Sequence, residues 1–285
     1  MKRDRIGNTA RTAMLVLGFL LAYLSPLWVQ TVLLWLFDAT PHLSNSSWEF
    51  PIRLFSTAAT IGVVLLFGHI PEKRSLASMG FVKRRCLSDY GIGLLTGSGL
   101  FTASILICLL CGAVRVSVSS TVSVGRLAIY LAGYMVQGLS EEVLCRSYLM
   151  TALRERMSPS ATVLFSALVF AVLHLGNTGL TVIGFLNVFL FGVLAGIYFL
   201  RQGSVWGVAA LHTAWNVVQG NVFGVQVSGN SVSASLLSTT VQNDLWWLHG
   251  GDFGLEGGIA VTAVLLIATA AILWRSHAKP SPSIK

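Results

Sequence analysis

Long apolar stretches recur along this chain, and they constrain its fold more than any other feature. Hydrocarbon offers no water to backbone N–H and C=O groups, so stretches of this length cross a bilayer as helices. Hydrophobic residues make up 54% of the chain and charged ones only 11%, a balance expected of an integral membrane protein. The runs predict eight spans, at about 12–37, 52–69, 89–113, 127–150, 159–175, 180–200, 204–223 and 256–274. The expected fold is therefore an all-α polytopic membrane bundle, a single domain over 1–285 with a disordered tail at 276–285. Ser25-Pro26 predicts a kink or a break in the first span. A cleaved signal peptide is not expected, because no small-residue cleavage site separates the first apolar run from the next.

Cations set the orientation, since short cytoplasmic loops hold the excess of Lys and Arg. Lys2, Arg3, Arg5 and Arg11 precede the first span, and Lys73, Arg74, Lys83, Arg84 and Arg85 fill the second connection. Arg154, Arg156 and Arg201 follow spans four and six, and Arg275, Lys279 and Lys285 close the chain. The opposite side receives only Arg53, Arg115 and Arg126, and the 225–253 loop has no Lys or Arg. Eight spans with both termini cytoplasmic satisfy this pattern, which predicts a multi-pass protein of the cell membrane. The net charge of +8 is then a topology signal. Nucleic acid is not an expected partner, since no aromatic-basic patch is present. The basic, partly apolar segment 70–88 reads either as a short amphipathic element on the cytoplasmic interface or as a solvated loop. Cys108-xx-Cys111 lies inside an apolar run and reads as helix packing, with Cys86 reduced in the cytoplasm.

Ionisable groups inside spans are costly and mark function by default. Span four carries Glu141, Glu142 and Arg146. Glu142 and Arg146 are spaced i, i+4 with the acid first, the favourable order for a helical ion pair. Glu141 is turned about 100° away around the helix and is left as the free carboxylate. His174 ends span five, and His212 with Asn216 share one face of span seven. Each group alone also fits a structural role, as an interhelical hydrogen-bonder. Together, an acid, two imidazoles and a carboxamide are the groups needed to activate a water and stabilise an oxyanion. Tyr130, Tyr134, Gln137, Cys145 and Asn187 are further candidates for a cavity wall. Gly192-xxx-Gly196 reads as a close helix contact, and Trp206 with Trp246-Trp247 as interfacial anchors.

Three motifs in order resemble the CAAX-protease and bacteriocin-processing family, membrane endopeptidases related to type II CAAX prenyl proteases. They are Glu141-Glu142-Val-Leu-Cys-Arg146, Phe170-Ala-Val-Leu-His174 and His212-Thr-Ala-Trp-Asn216, within a core at 127–216. Ser75 to Phe81 and Gly250 to Gly254 are similar to bacterial members as well, while Ser147 departs from the Gly that many carry. The resemblance implies a glutamate-dependent endopeptidase without a cofactor. Glu141 and His174 would hold and deprotonate the attacking water, His212 and Asn216 would stabilise the oxyanion, and Glu142 and Arg146 would support them. The implied partner is a membrane-associated peptide or protein substrate in the lipid bilayer.

Other readings of the same residues stay open at the level of sequence. Zinc held by Glu141, His174 and His212 would make a metalloprotease, though no HExxH is present. Cys145 carries no mark of a low-pKa nucleophile. Intramembrane acids and histidines also serve proton-coupled carriers, although no inverted repeat is visible. A non-catalytic immunity or scaffold role is the remaining class.

Overall fold

The computed structural model describes residues 2–38 and 48–278; Lys279, Lys285 and the tail from Pro280 lie outside the described residues. Helices occupy all eight of the apolar segments. They are α1 (Lys2–Asp38), α2 (Glu49–Ser56) with α3 (Ala58–His69), and α4 (Cys86–Leu110). Next come α5 (Val124–Glu142), continued by a π-helical stretch Val143–Met150 and the turn α6 (Thr151–Leu153), then α7 (Pro159–Val172) and α8 (Val182–Gln202). The chain closes with α9 (Val205–Val217) and its π-helical end Val218–Val222, the short α10 (Trp246–His249) and α11 (Ile259–Ala278). Among the described residues four helices are long and apolar enough to cross a membrane: Thr9–Asp38, Glu49–His69, Lys83–Leu110 and Val182–Gln202. The protein is a helical membrane protein.

Several expectations need correction. The bundle is not purely α: β1 (Val114–Val118) pairs antiparallel with β2 (Leu237–Val241), Val116 opposite Thr239. Segment 70–88 forms turns and a 3₁₀ turn at Lys83–Arg85, with no amphipathic helix before α4. Met79 is buried there, and Val205 N donates to Gly80 O at 2.9 Å, which docks this part of the segment onto the bundle. The last helix continues to Ala278, into the first residues of the expected tail. Helix α1 runs unbroken through Pro26. Proline removes the donor that the carbonyl four residues back would have met. That carbonyl, Ala22 O, accepts instead from Thr60 Oγ1 at 2.9 Å and Ser25 Oγ at 3.0 Å. Satisfied in this way, the helix continues through apolar surroundings.

Helix ends follow their sequence signals. Ser158 caps α7 by accepting from Ala161 N at 3.3 Å, with Pro159 in the first turn. Thr181 caps α8 through Gly184 N at 3.1 Å, and Gly203 at φ 64° closes it. Helices α4 and α9 cross in close contact because Gly93 and Gly97 face the backbone of Gly207 and Leu211. A Cβ at either glycine would lie 2.1 Å from a carbonyl oxygen. That crossing fixes the depth at which α9 presents His212.

The connections segregate by charge. At one end Arg85 Nη2 donates to Gln202 O at 2.8 Å, Arg74 reaches Ser147 O and Tyr148 O at 3.1 and 3.2 Å, and Arg156 bonds Thr12. Connections 70–85, 154–158 and 203–204 therefore gather there, beside the start of α1. At the other end lie the β1–β2 pair and the contact of Arg53 Nη1 with Asn230 Oδ1 at 2.9 Å. Gly179 packs there against Asp252.

Candidate active site

Span four brings its acids to the bundle centre through a change of helical geometry. α5 begins at Ser123, whose side chain accepts from Arg126 N at 3.4 Å, and winds regularly to Glu142. From Val143 it widens into a π-helix, a form that is rare and frequent at functional sites. Arg74 donates to carbonyls of this widened stretch from the neighbouring connection.

Glu142 and Arg146 are both fully buried, with Oε2 to Nε at 3.1 Å. The guanidinium also donates to Gly192 O at 3.2 Å and lies over the Phe170 ring, 4.6 Å from its centroid. Gly192 also lets α8 pack closely on α7, since a Cβ there would meet Ala167 Cα at 2.9 Å. The expected packing role of that glycine is thus joined by a carbonyl that holds the arginine.

Glu142 does more than pair with arginine. Its Oε1 accepts from His212 Nδ1 at 3.0 Å, which turns His212 Nε2 toward the cavity. His174 Nδ1 donates to Phe170 O at 2.8 Å, because a carbonyl can only accept. In the neutral ring Nε2 is then the acceptor. Both free nitrogens face one carboxylate oxygen: Glu141 Oε2 lies 3.9 Å from His174 Nε2 and 3.8 Å from His212 Nε2.

Glu141 is free of Arg146 but not free of partners. Gln137, one helical turn earlier, donates to its Oε1, and Gln137 Oε1 accepts from Asn216 Nδ2 at 2.9 Å. Asn216, Gln137 and Glu141 form a continuous chain of hydrogen bonds. The i, i+4 spacing of Gln137 and Glu141 signals this link, which goes beyond the wall position expected of Gln137.

These groups line a cavity of about 430 Å³. Tyr134, Gln137, Glu141, Cys145, His174, His212 and Asn216 all border it. Two expected wall residues do not: Tyr130 OH bonds Ser233 Oγ at 3.0 Å, and Asn187 donates to Glu256 O and Gly258 O at 2.8 and 2.9 Å. Asn187 borders instead a chamber of about 20 Å³ behind His174 and His212, large enough for one water. Glu256, which no sequence signal distinguished, closes this chamber; its carboxylate accepts from Trp215 Nε1 at 3.0 Å and from Ser228 N and Oγ at 2.7 Å.

Residues 123–218 match the family model described as Type II CAAX prenyl endopeptidase Rce1-like. This stretch belongs to the CAAX-protease family. The Rce1-like stretch contains Glu141, His174, His212 and Asn216, which border the cavity described above, and the buried Glu142–Arg146 pair bonded to His212. It supports a protease role for the chain. No curated protein matches the chain.

Proposed function

We propose that the protein is a glutamate-dependent intramembrane endopeptidase that cleaves a membrane-associated peptide or protein. One observation carries the reading: two imidazole Nε2 atoms converge on one Glu141 oxygen, at 3.8 and 3.9 Å, at the wall of a cavity. A water hydrogen-bonded to two acceptors fits such a gap, with each bond near its usual length of about 2.8 Å. Donating to Glu141 Oε2 and His174 Nε2, that water keeps a lone pair for attack on a carbonyl carbon. Glu141 takes its proton as the C–O bond forms, and returns it to the amine as the C–N bond breaks.

The developing oxyanion is met from α9. Asn216 gives one N–H to Gln137 and has a second to offer. His212, doubly protonated, would offer Nε2–H while Glu142 holds Nδ1–H. Glu142 and Arg146 support this ring, with Glu142 carrying the orientation of the histidine and Arg146 balancing its charge. A single preorganised oxyanion donor is worth roughly 3–4 kcal/mol of barrier. His212→Ala and Asn216→Ala are each expected to slow cleavage by about two to three decades. Single-turnover kinetics on the purified protein with an identified precursor check this; a loss under about threefold removes that residue from the oxyanion role.

No cofactor is needed for this chemistry. Zinc on Glu141, His174 and His212 is the second reading, with water as the fourth ligand. Tetrahedral zinc donors lie about 3.4 Å apart, so both gaps at Glu141 would have to close by about half an ångström. Among the described residues, no three His, Cys, Asp or Glu side chains group into a metal-holding set. Cleavage is expected to survive exhaustive chelation followed by metal-free dialysis. Loss on chelation and recovery with zinc would transfer the mechanism to the metal.

We further propose eight crossings of the cell membrane with both termini cytoplasmic, following the segregation of cations onto one end of the bundle. Terminal-peptide proteomics of membranes with and without the protein tests the function directly. Precursors that accumulate uncleaved without it support the protease. Substrate flux through reconstituted protein, with no peptide-bond cleavage, would identify a carrier instead.

A further inference from the structure

The cavity that holds the site is lopsided along the bundle. Its wall takes Phe50, Arg53, Leu54 and Thr57 from the beginning of α2 and the turn into α3. It takes His174 and Asn177 from beyond the C-terminal end of α7, and Val227, Ser228 and Asn230 from the long loop after α9. Apart from His174, which faces Glu141, these belong to the end of the bundle that carries the β1–β2 pair. No residue of the basic connections 70–85, 154–158 or 203–204 lines it. Toward that basic end the bundle is packed shut. Val64, Tyr148 and Met150 are fully buried, and Tyr148 OH is bonded to Glu72 Oε1 at 2.5 Å.

Arg53 and Asn230 meet at the mouth, in an exposed contact. A route past this pair would bring water and an extended chain to Glu141 without crossing the packed layer. Resting on the proposed topology and on the proteolytic reading, we infer that substrate enters from the extracytoplasmic face. The substrate is then a polypeptide segment already outside the cytoplasm, a translocated peptide precursor or the outer flank of a membrane protein. A prenylated C-terminus, made and displayed in the cytoplasm, would face the closed end.

The chain carries its own controls for a test. Cys111 is exposed at the end of α4 on the mouth side, and Cys86 starts α4 on the basic side. A membrane-impermeant methanethiosulfonate cation is applied to intact cells and, separately, to inside-out vesicles. Cys111 is expected to react in cells and Cys86 only in vesicles. In a background lacking the exposed Cys111, Thr57→Cys on the cavity wall is expected to react in cells, and Asn177→Cys provides a second wall position should the first misfold. Cleavage sites recovered by terminal-peptide proteomics are expected in extracytoplasmic segments.

Each part can fail separately. Reaction of Cys86 rather than Cys111 in cells overturns the orientation. With Cys111 reacting in cells, wall cysteines that react only in vesicles overturn the entry face and leave the orientation standing. Cleavage sites confined to cytoplasmic C-termini also overturn it. Finding no cleavage sites removes the proteolytic reading, while the labelling still decides which face the cavity serves.

Discussion

Glu141→Gln is expected to end peptide-bond cleavage while leaving the fold in place. The amide matches the carboxylate in shape, and its oxygen can still accept from Gln137, as Oε1 does now. The buried Glu142–Arg146 pair and the Glu142–His212 bond do not involve this side chain. The loss is confined to proton transfer. An amide cannot take a proton from water at neutral pH, and its N–H₂ would point a donor at the imidazoles where a water had donated. General-base catalysis contributes about two to four decades. Misplacement of the water adds to this, so cleavage should fall below detection in a proteome-scale assay. Uncleaved precursors should accumulate as in cells without the protein, with the thermal unfolding midpoint in detergent unchanged. Precursor processing at the wild-type level in Glu141→Gln would remove Glu141 as the base. A cell phenotype equally unaffected would favour a scaffold.

Much of the site was legible because lipid makes polar residues conspicuous. Glu141, Glu142, Arg146, His174, His212 and Asn216 stood out against apolar runs, and the fold brings all six around one point. The bonds among them were not legible. Helical spacing paired Glu142 with Arg146, yet the tie from Glu142 to His212 spans 70 residues of sequence and depends on how α9 crosses α5. The π-helical stretch after Glu142 likewise has no signature in the apolar pattern, since its extra residue per turn is stabilised by tertiary contacts.

The strand pair was half-written. Val114, Val116 and Val118 alternate with Arg115 and Ser117, a period of two that marks a strand. Its partner lies after four further spans, α5, α7, α8 and α9, in a Ser- and Thr-rich segment, where only closure of the bundle brings the two together. Glu256 was hidden for a related reason: an acid among glycines at the very start of the last apolar run reads as a solvated charge until Trp215 and Ser228 are seen to bind it.

Arg146→Met is expected to be the most damaging change away from the reacting atoms. Methionine fills much of the same volume over Phe170 but leaves Glu142 fully buried with His212 as its remaining polar partner. It also leaves Gly192 O without its donor. Removing one member of a buried ion pair typically costs about 3–5 kcal/mol, because the charge left behind has lost its compensation. The variant should show a strongly lowered unfolding midpoint and little folded protein in the membrane. Glu142→Gln alone strands the guanidinium and should be similarly damaging. Combining Glu142→Gln with Arg146→Met removes both charges, and stability should recover beyond the sum of the single effects. A double-mutant cycle measured by unfolding in detergent gives that coupling directly. The double variant should still cleave slowly, since a neutral amide on His212 Nδ1 supports the imidazolium less than a carboxylate does. Additive destabilisation would mean that the pair contributes nothing as a pair, and Glu142 would then act on His212 without help from Arg146.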